Sequence, residues 1–292
     1  MTEHSRPAFP VNALTVDVED YFQVEAFAKV IDRADWDTLP HRVERNAEVI
    51  LDLFAAHGVK ATFFTLGWVA ERYPGIVRRI VGEGHELASH GYGHKRVIEL
   101  TPDAFRDDIT RSKAILEDLS GQAVNGYRAP SFSIVKESLW AHGVLAEAGY
   151  TYSSSVNPIR HDLYGMPDAP RVPYHPIDGD DGFLEIPITT LEVMGRTMPC
   201  GGGGFFRLFP YAWFRAAWRR INGQGQPFLF YFHPWEIDPG QPRQADAPLK
   251  SRFRHYARLN AMEDKIAQAL EDFAWGRMDH VYAPIMAGSK AA

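Results

Sequence analysis

The sequence predicts an α/β fold, with βα units arranged around a mostly parallel sheet or barrel, and three observations carry that expectation. Short apolar runs alternate with amphipathic stretches along the 292 residues. Helix start and stop residues bound the amphipathic stretches. Polar residues able to do chemistry stand just after several apolar runs, the position where α/β barrels gather their active sites.

Ala13 to Val18 reads as the first strand. Arg42 to His57 places Val49, Ile50, Leu53 and Phe54 at helical spacing, and Gly58 follows where a helix end favours a left-handed residue. Val59 to Leu66 is the next strand, Pro74 opens a helix through Val81, and Glu86 to Ala88 forms a short strand. Thr101 and Pro102 start a helix carrying Phe105, Ile109, Ile115 and Leu116, which stops at Gly121. The sheet resumes over Val124 to Tyr127. A helix over Lys136 to Ala148, strands near Tyr150 to Ser153 and Phe183 to Ile188, and a helix over Pro210 to Ile221 continue the alternation. Pro227 to Phe232 is nearly all apolar, as expected of a strand buried on both faces, and the last long helix spans roughly Tyr256 to Phe273. Asn157 to Gly182, rich in Pro, Asp and Gly, is irregular. So is Gly201 to Gly204, where no Lys-Ser/Thr follows, so the glycines read as a flexible or closely approached loop rather than a phosphate cradle.

A hydrophobic content of 45% describes ordinary globular material, long enough for one large α/β core. The net charge of −6 gives no basic field, which argues against nucleic acid as a partner. Cys200 is the only cysteine, so intrachain disulfides and cysteine-rich zinc modules are excluded and any metal must use histidine and carboxylate ligands. Met1 to Val11 has neither a basic nor an apolar export region, and no run of about 20 apolar residues could cross a bilayer. The expectation is a chain without a transmembrane segment, cytoplasmic by default unless exported by another route. Oligomeric state is left open.

His90 and His94 stand four apart, a spacing that lets both imidazoles reach one divalent ion from one side of a helical turn. A hydrolytic site needs a third protein ligand, so a carboxylate or histidine is required elsewhere. Asp17, Glu19 and Asp20 follow the first strand, Arg128 follows the fourth, and His233 ends the late apolar strand. Each has a structural alternative: Asp17 and Asp20 as helix caps, Arg128 in a surface ion pair, His233 as a core histidine. Together they supply what a hydrolytic metal site requires, namely ligands, a base and an acid.

Four segments occur in the order of the motifs of polysaccharide deacetylases with the NodB homology domain (carbohydrate esterase family 4 type). They are Thr15 to Tyr21, Ser89 to His94, Arg128-Ala129-Pro130-Ser131-Phe132 and Phe232-His233-Pro234-Trp235-Glu236. Val16 to Phe27, Pro158 to Asp162 with Pro167 to Pro170, and Gly202 to Pro210 further resemble the subgroup associated with exosortase-dependent exopolysaccharide loci.

The resemblance implies a distorted (β/α) barrel of about seven parallel strands, one domain over residues 1–292 with a C-terminal helical extension from about 245. It implies metal binding by His90 and His94, Asp17 as base, Arg128 orienting it, and His233 protonating the leaving amine. Many relatives have two adjacent aspartates, the second binding metal, whereas here Val18 follows Asp17. Strand alternation puts Glu19 on the side of Asp17, while a bulge or turn would present Asp20, so both are candidates for the third ligand. The family's Asp-Ser-Ser element reads Tyr152-Ser153-Ser154 here.

The implied activity is removal of N-acetyl groups from amino sugars of an exopolysaccharide or its precursor, with a divalent ion, Zn²⁺ foremost, activating water against the acetamide carbonyl. Tyr92, Pro130, Phe132 and Trp235 are candidates for substrate contact. Tyr21, Phe22 and Trp68 extend an aromatic groove, unless these rings are simply packing. Two other readings compete: hydrolysis of a different, even cyclic, amide on the same fold, and a catalytically silent carbohydrate-binding relative.

Overall fold

The computed structural model describes residues 10–161 and 164–288. Met1 to Phe9, where most of the segment tested for export features lies, and Asp162 within the subgroup resemblance fall outside the described residues.

In chain order the elements are β1 (Asn12–Val18), α1 (Val43–Ala56), β2 (Thr62–Thr65), α2 (Gly67–Arg72), α3 (Pro74–Gly82), β3 (Glu86–Ser89), α4 (Pro102–Ser120), β4 (Gly126–Tyr127), α5 (Ala141–Glu147), β5 (Tyr152–Ser153), β6 (Leu184–Glu185), β7 (Thr190–Val193), β8 (Arg196–Pro199), α6 (Gly203–Leu208), α7 (Tyr211–Asn222), β9 (Leu229–Phe232), α8 (Leu249–Tyr256), α9 (Met262–Asp272), β10 (Trp275–Gly276), α10 (Met278–Val281) and α11 (Ala283–Met286). The sheet is parallel and curled, ordered β10-β1-β2-β3-β4-β5-β6, with β9 also paired to β1. Gly202 bridges in parallel to Tyr231, which extends the curl toward an open barrel.

Alternation along β1 explains the two cores. Leu14, Val16 and Val18 join the large cluster beneath the surrounding helices, whereas Ala13 joins a smaller cluster with Phe64, Ala88, Tyr152, Leu184 and Tyr231 inside the curl. Thr15 and Asp17 share that inner side by period. The C-terminal segment closes the barrel floor: Met278 and Tyr282 enter the inner cluster, and the Met278 amide donates to Thr62 Oγ1 at 2.8 Å.

Thr101 caps α4 through Ala104 N, and Gly121 ends it at φ 66°, as the sequence implies. Lys136 to Ala148 is a 3₁₀ turn followed by the short α5 rather than one helix. The expected last long helix, Tyr256 to Phe273, starts later, at Met262, because Arg258 at φ 56° and a 3₁₀ turn over Leu259–Ala261 stand between α8 and α9. Nor is the region from 245 purely helical: Trp275 and Gly276 pair with Asn12 and Ala13. The antiparallel β7–β8 hairpin and helices α2 and α6 have no counterpart in the sequence reading.

Candidate active site

The inner face of β1 delivers two carboxylates to the strand end. Asp17 is 1% exposed, and its Oδ1 accepts from Arg128 Nη1 at 2.6 Å. Arg128 is wholly buried and held by four hydrogen bonds: besides the one to Asp17, Nη1 donates to Thr15 Oγ1, Nε to Ser154 O and Nη2 to Ser154 Oγ, while Cζ lies 4.1 Å over the Phe64 ring. Such a fork fixes Asp17 in orientation and leaves Oδ2 as its uncommitted oxygen. Ser154, from the altered Tyr152-Ser153-Ser154 element, thus anchors the arginine.

The two histidines meet through a loop, not a helical turn. His90 N continues the sheet by donating to Thr65 O, and the chain then turns at Gly91, φ 73°, where a Cβ would lie 2.7 Å from Asp108 Oδ2. His94 sits at φ 51°, an unfavourable region for a non-glycine residue, and Arg33 holds the turn by donating to the carbonyls of Gly93 and His94. His90 Nδ1 donates to Arg128 O at 2.8 Å, which leaves the Nε2 lone pair for the cleft. Burial pushes the His90 pKa down to about 4, so the ring is neutral.

Glu19, His90 and His94 offer ligand atoms that all lie within 4.8 Å of one another. His94 Nε2 is 2.7 Å from Glu19 Oε2, yet that buried oxygen has no hydrogen-bond donor among the described residues. Burial alone would raise the Glu19 pKa; His94 and His233 outweigh it and hold the carboxyl well below the usual carboxylate range. Two imidazoles and one ionised carboxylate with an unspent oxygen are a donor set suited to a divalent cation of the zinc class.

Asp20 is the correction here. Its Oδ2 accepts from Arg42 N and Val43 N, and its Oδ1 from Tyr21 N, so the carboxylate caps the start of α1 and is outside the three-residue group.

Opposite stands His233 at the end of β9. Its Nε2 is 3.5 Å from Glu19 Oε1 and 3.9 Å from Asp17 Oδ2, while its Nδ1 is 2.8 Å from Glu236 Oε1. Arg207 Nε donates to Glu236 Oε2 at 2.7 Å. Burial by itself would lower the His233 pKa, but the Glu19 and Glu236 carboxylates raise it to about 9. The four-glycine loop is closely approached: a Cβ on Gly203 would lie 2.4 Å from Glu236 Oε1.

A cleft of about 140 Å³ joins these groups, walled also by Phe132, Tyr164, Tyr231 and Trp235. Of the candidates for substrate contact, Phe132 and Trp235 thus line this cleft, and Trp235 Nε1 donates to Glu19 Oε1 at 3.2 Å. Tyr92 and Pro130 are not cleft residues. The Gly91 turn sends Tyr92 outward, where its hydroxyl donates to Glu71 and Arg111 covers its ring; Pro130 is buried, with its carbonyl accepting from Ser133 Oγ. Tyr21, Phe22 and Trp68 also line no part of the cleft; Trp68 packs edge to face on Phe22 and Trp36, and Phe22 meets Trp36 and His41 at a tilt. Tyr231, Glu236 and Arg207 escaped the sequence reading, although Tyr231 lies two residues before His233 on the same strand face and Glu236 stands in the same motif.

Residues 34–153 match the polysaccharide deacetylase family, and residues 154–283 match a domain of unknown function, DUF3473. Over residues 34–153 the chain is thus similar to polysaccharide deacetylases. Over 93 residues it is 42% identical to peptidoglycan-N-acetylglucosamine deacetylase of Bacillus cereus, covering 32% of this chain and 34% of that protein. Over 97 residues it is 37% identical to a peptidoglycan deacetylase of Helicobacter pylori, covering 32% and 33%. The chain thus spans about a third of the length of these curated relatives. A structure from Mycobacterium smegmatis described as a polysaccharide deacetylase shares the fold, with a TM-score of 0.63 at 20% identity over 99% of this chain and 94% of its own.

The deacetylase domain match supplies His90, His94 and Arg128, while Asp17 and Glu19 precede it. The DUF3473 segment brings His233, Glu236 and Arg207 to the same place. Both segments contribute strands to one sheet.

Proposed function

We propose that this protein is a metal-dependent hydrolase that removes N-acetyl groups from amino sugars of an exopolysaccharide or its precursor. The observation that carries the reading is the placement of an arginine-held carboxylate, Asp17, beside the Glu19, His90 and His94 group, with His233 across the same cleft.

A divalent cation, Zn²⁺ foremost, held by Glu19, His90 and His94 would supply Lewis-acid polarisation of a carbonyl and acidify water. Asp17 Oδ2, the oxygen free of Arg128, accepts the proton of the attacking water as the new C–O bond forms. His233, protonated at neutral pH by its carboxylate neighbours, donates from Nε2 to the amide nitrogen as the C–N bond breaks. Acetic acid and the free amine leave, the acid passing its proton to the amine to give acetate and ammonium, and the proton on Asp17 returns to His233. Phe132, Tyr231 and Trp235 offer ring faces to the sugar and narrow the space open to bulk water.

Acetate release from N-acetylated oligosaccharides, with and without chelator, tests the proposal. Release that stops with chelation and resumes with Zn²⁺ is expected. Equal release in the chelated protein would overturn the metal assignment, and none on any N-acetylated glycan would overturn the activity.

A further inference from the structure

Helix α8 turns an apolar pair outward. Leu249 is 79% exposed and Phe253 65%, and among the large apolar side chains of the described residues only Met194, in the β7–β8 turn, is more open to solvent. The two stand four apart and share one stripe of the helix, while Lys250 and Arg254, also exposed, form the stripe beside it. Single apolar side chains scattered over a surface need no explanation. An aliphatic and an aromatic residue aligned beside two cations make the pattern of a helix that lies in a bilayer interface.

The inner side of α8 is fixed to the body of the protein. His255 is buried, its ring stacked on Trp235 at 4.1 Å and 4.5 Å from the Phe27 ring. At the C-terminal end the Arg207 guanidinium donates to the carbonyls of Arg254, His255 and Ala257. The outer face is therefore held by a packed support, and Trp235 connects that support to the wall of the candidate catalytic cleft.

Charge selects the occupant. Between Arg243 and Arg258 the chain carries five cations, Arg243, Lys250, Arg252, Arg254 and Arg258, against the one acid Asp246, although the whole protein stands at −6. A two-fold contact of this face with its own copy would bring like charges together. An anionic bilayer offers the complement, with phosphates for the cations and an acyl boundary for the apolar pair.

We propose that α8 docks the protein on an anionic lipid bilayer, with Leu249 and Phe253 entering the headgroup boundary and the flanking cations meeting lipid phosphates. Docking holds the cleft beside a membrane surface, and it is read without turnover, so it stands or falls apart from the deacetylase reading.

The test is cosedimentation of the full chain with vesicles of phosphatidylcholine, alone or with a third of it replaced by phosphatidylglycerol. Wild type should bind the anionic vesicles at least about tenfold more tightly at about 0.1 M salt and lose most of that preference at about 0.5 M. Leu249→Ser with Phe253→Ser, and separately Lys250→Gln with Arg254→Gln, should each weaken binding about tenfold. Equal binding to both vesicles, binding to neither, or full binding by either double variant with a native melting curve overturns the proposal. If a double variant melts below the assay temperature, its two single variants are judged instead, each expected to weaken binding about threefold. Self-association of wild type that Leu249→Ser with Phe253→Ser abolishes would make this face a contact between copies and overturn the lipid assignment.

Discussion

Glu236 Oε1 lies 2.8 Å from His233 Nδ1, three residues back along the chain, and this contact helps keep the imidazole charged. A carboxylate favours the imidazolium, so its removal lowers the His233 pKa. In Glu236→Gln the basic limb of the kcat/KM profile should move to lower pH by about one unit. An unmoved limb would show that His233 is not the acid.

Glu19 and Asp20 are adjacent in sequence but do different work, and substitution should separate them. Glu19→Ala, His90→Ala and His94→Ala should each purify with little divalent metal by elemental analysis. Asp20→Ala should keep its metal and instead lose about 1 kcal/mol of stability in urea unfolding, as expected for a lost helix cap. Metal loss in Asp20→Ala with retention in Glu19→Ala would reverse the assignment.

Asp17→Asn removes a proton acceptor while keeping shape and the Arg128 contact. Acetate release should fall by ~10²–10⁴, with bound metal near the wild-type level. Wild-type turnover in this variant would leave the base unassigned.

These contrasts show what was legible in the sequence. Period two on β1 was enough to align Glu19 with Asp17, because alternation is a local rule. It could not eliminate Asp20, whose partners Arg42 N and Val43 N lie across a loop. Adjacency misled at Tyr92, since one left-handed glycine turned the ring away from the histidines. Strand β10 was unreadable for another reason: two residues carry no periodicity, and Trp275 and Gly276 are strand only because Asn12 and Ala13 receive them.

Glu86 provides a test of stability rather than turnover. It is buried under the barrel floor, accepting from Thr62 Oγ1, Tyr152 Oη and Asp279 N, and burial, reinforced by Asp279, raises its pKa from 4.5 to about 7. The folded chain therefore holds a proton there that the unfolded chain has released. This contribution is present in full below about pH 4.5 and lost as pH rises through 7. Glu86→Gln should melt with a shallower decline between pH 5 and 8 than wild type. A parallel decline in the two proteins would show that Glu86 is not the group responsible.

Pairing of β1 with β9 and β10 has a consequence for the order in which the molecule is made. Strand β1 lies inside the sheet beside β9 and β10, which are translated long after it, and 216 residues separate Glu19 from the Trp235 indole that hydrogen-bonds it. Closing so long a loop makes folding slow and delays it until the late strands exist. A ribosome-bound or prematurely cut chain then holds its histidines without the opposing acid, so chemical competence arrives in one step, with the final strands.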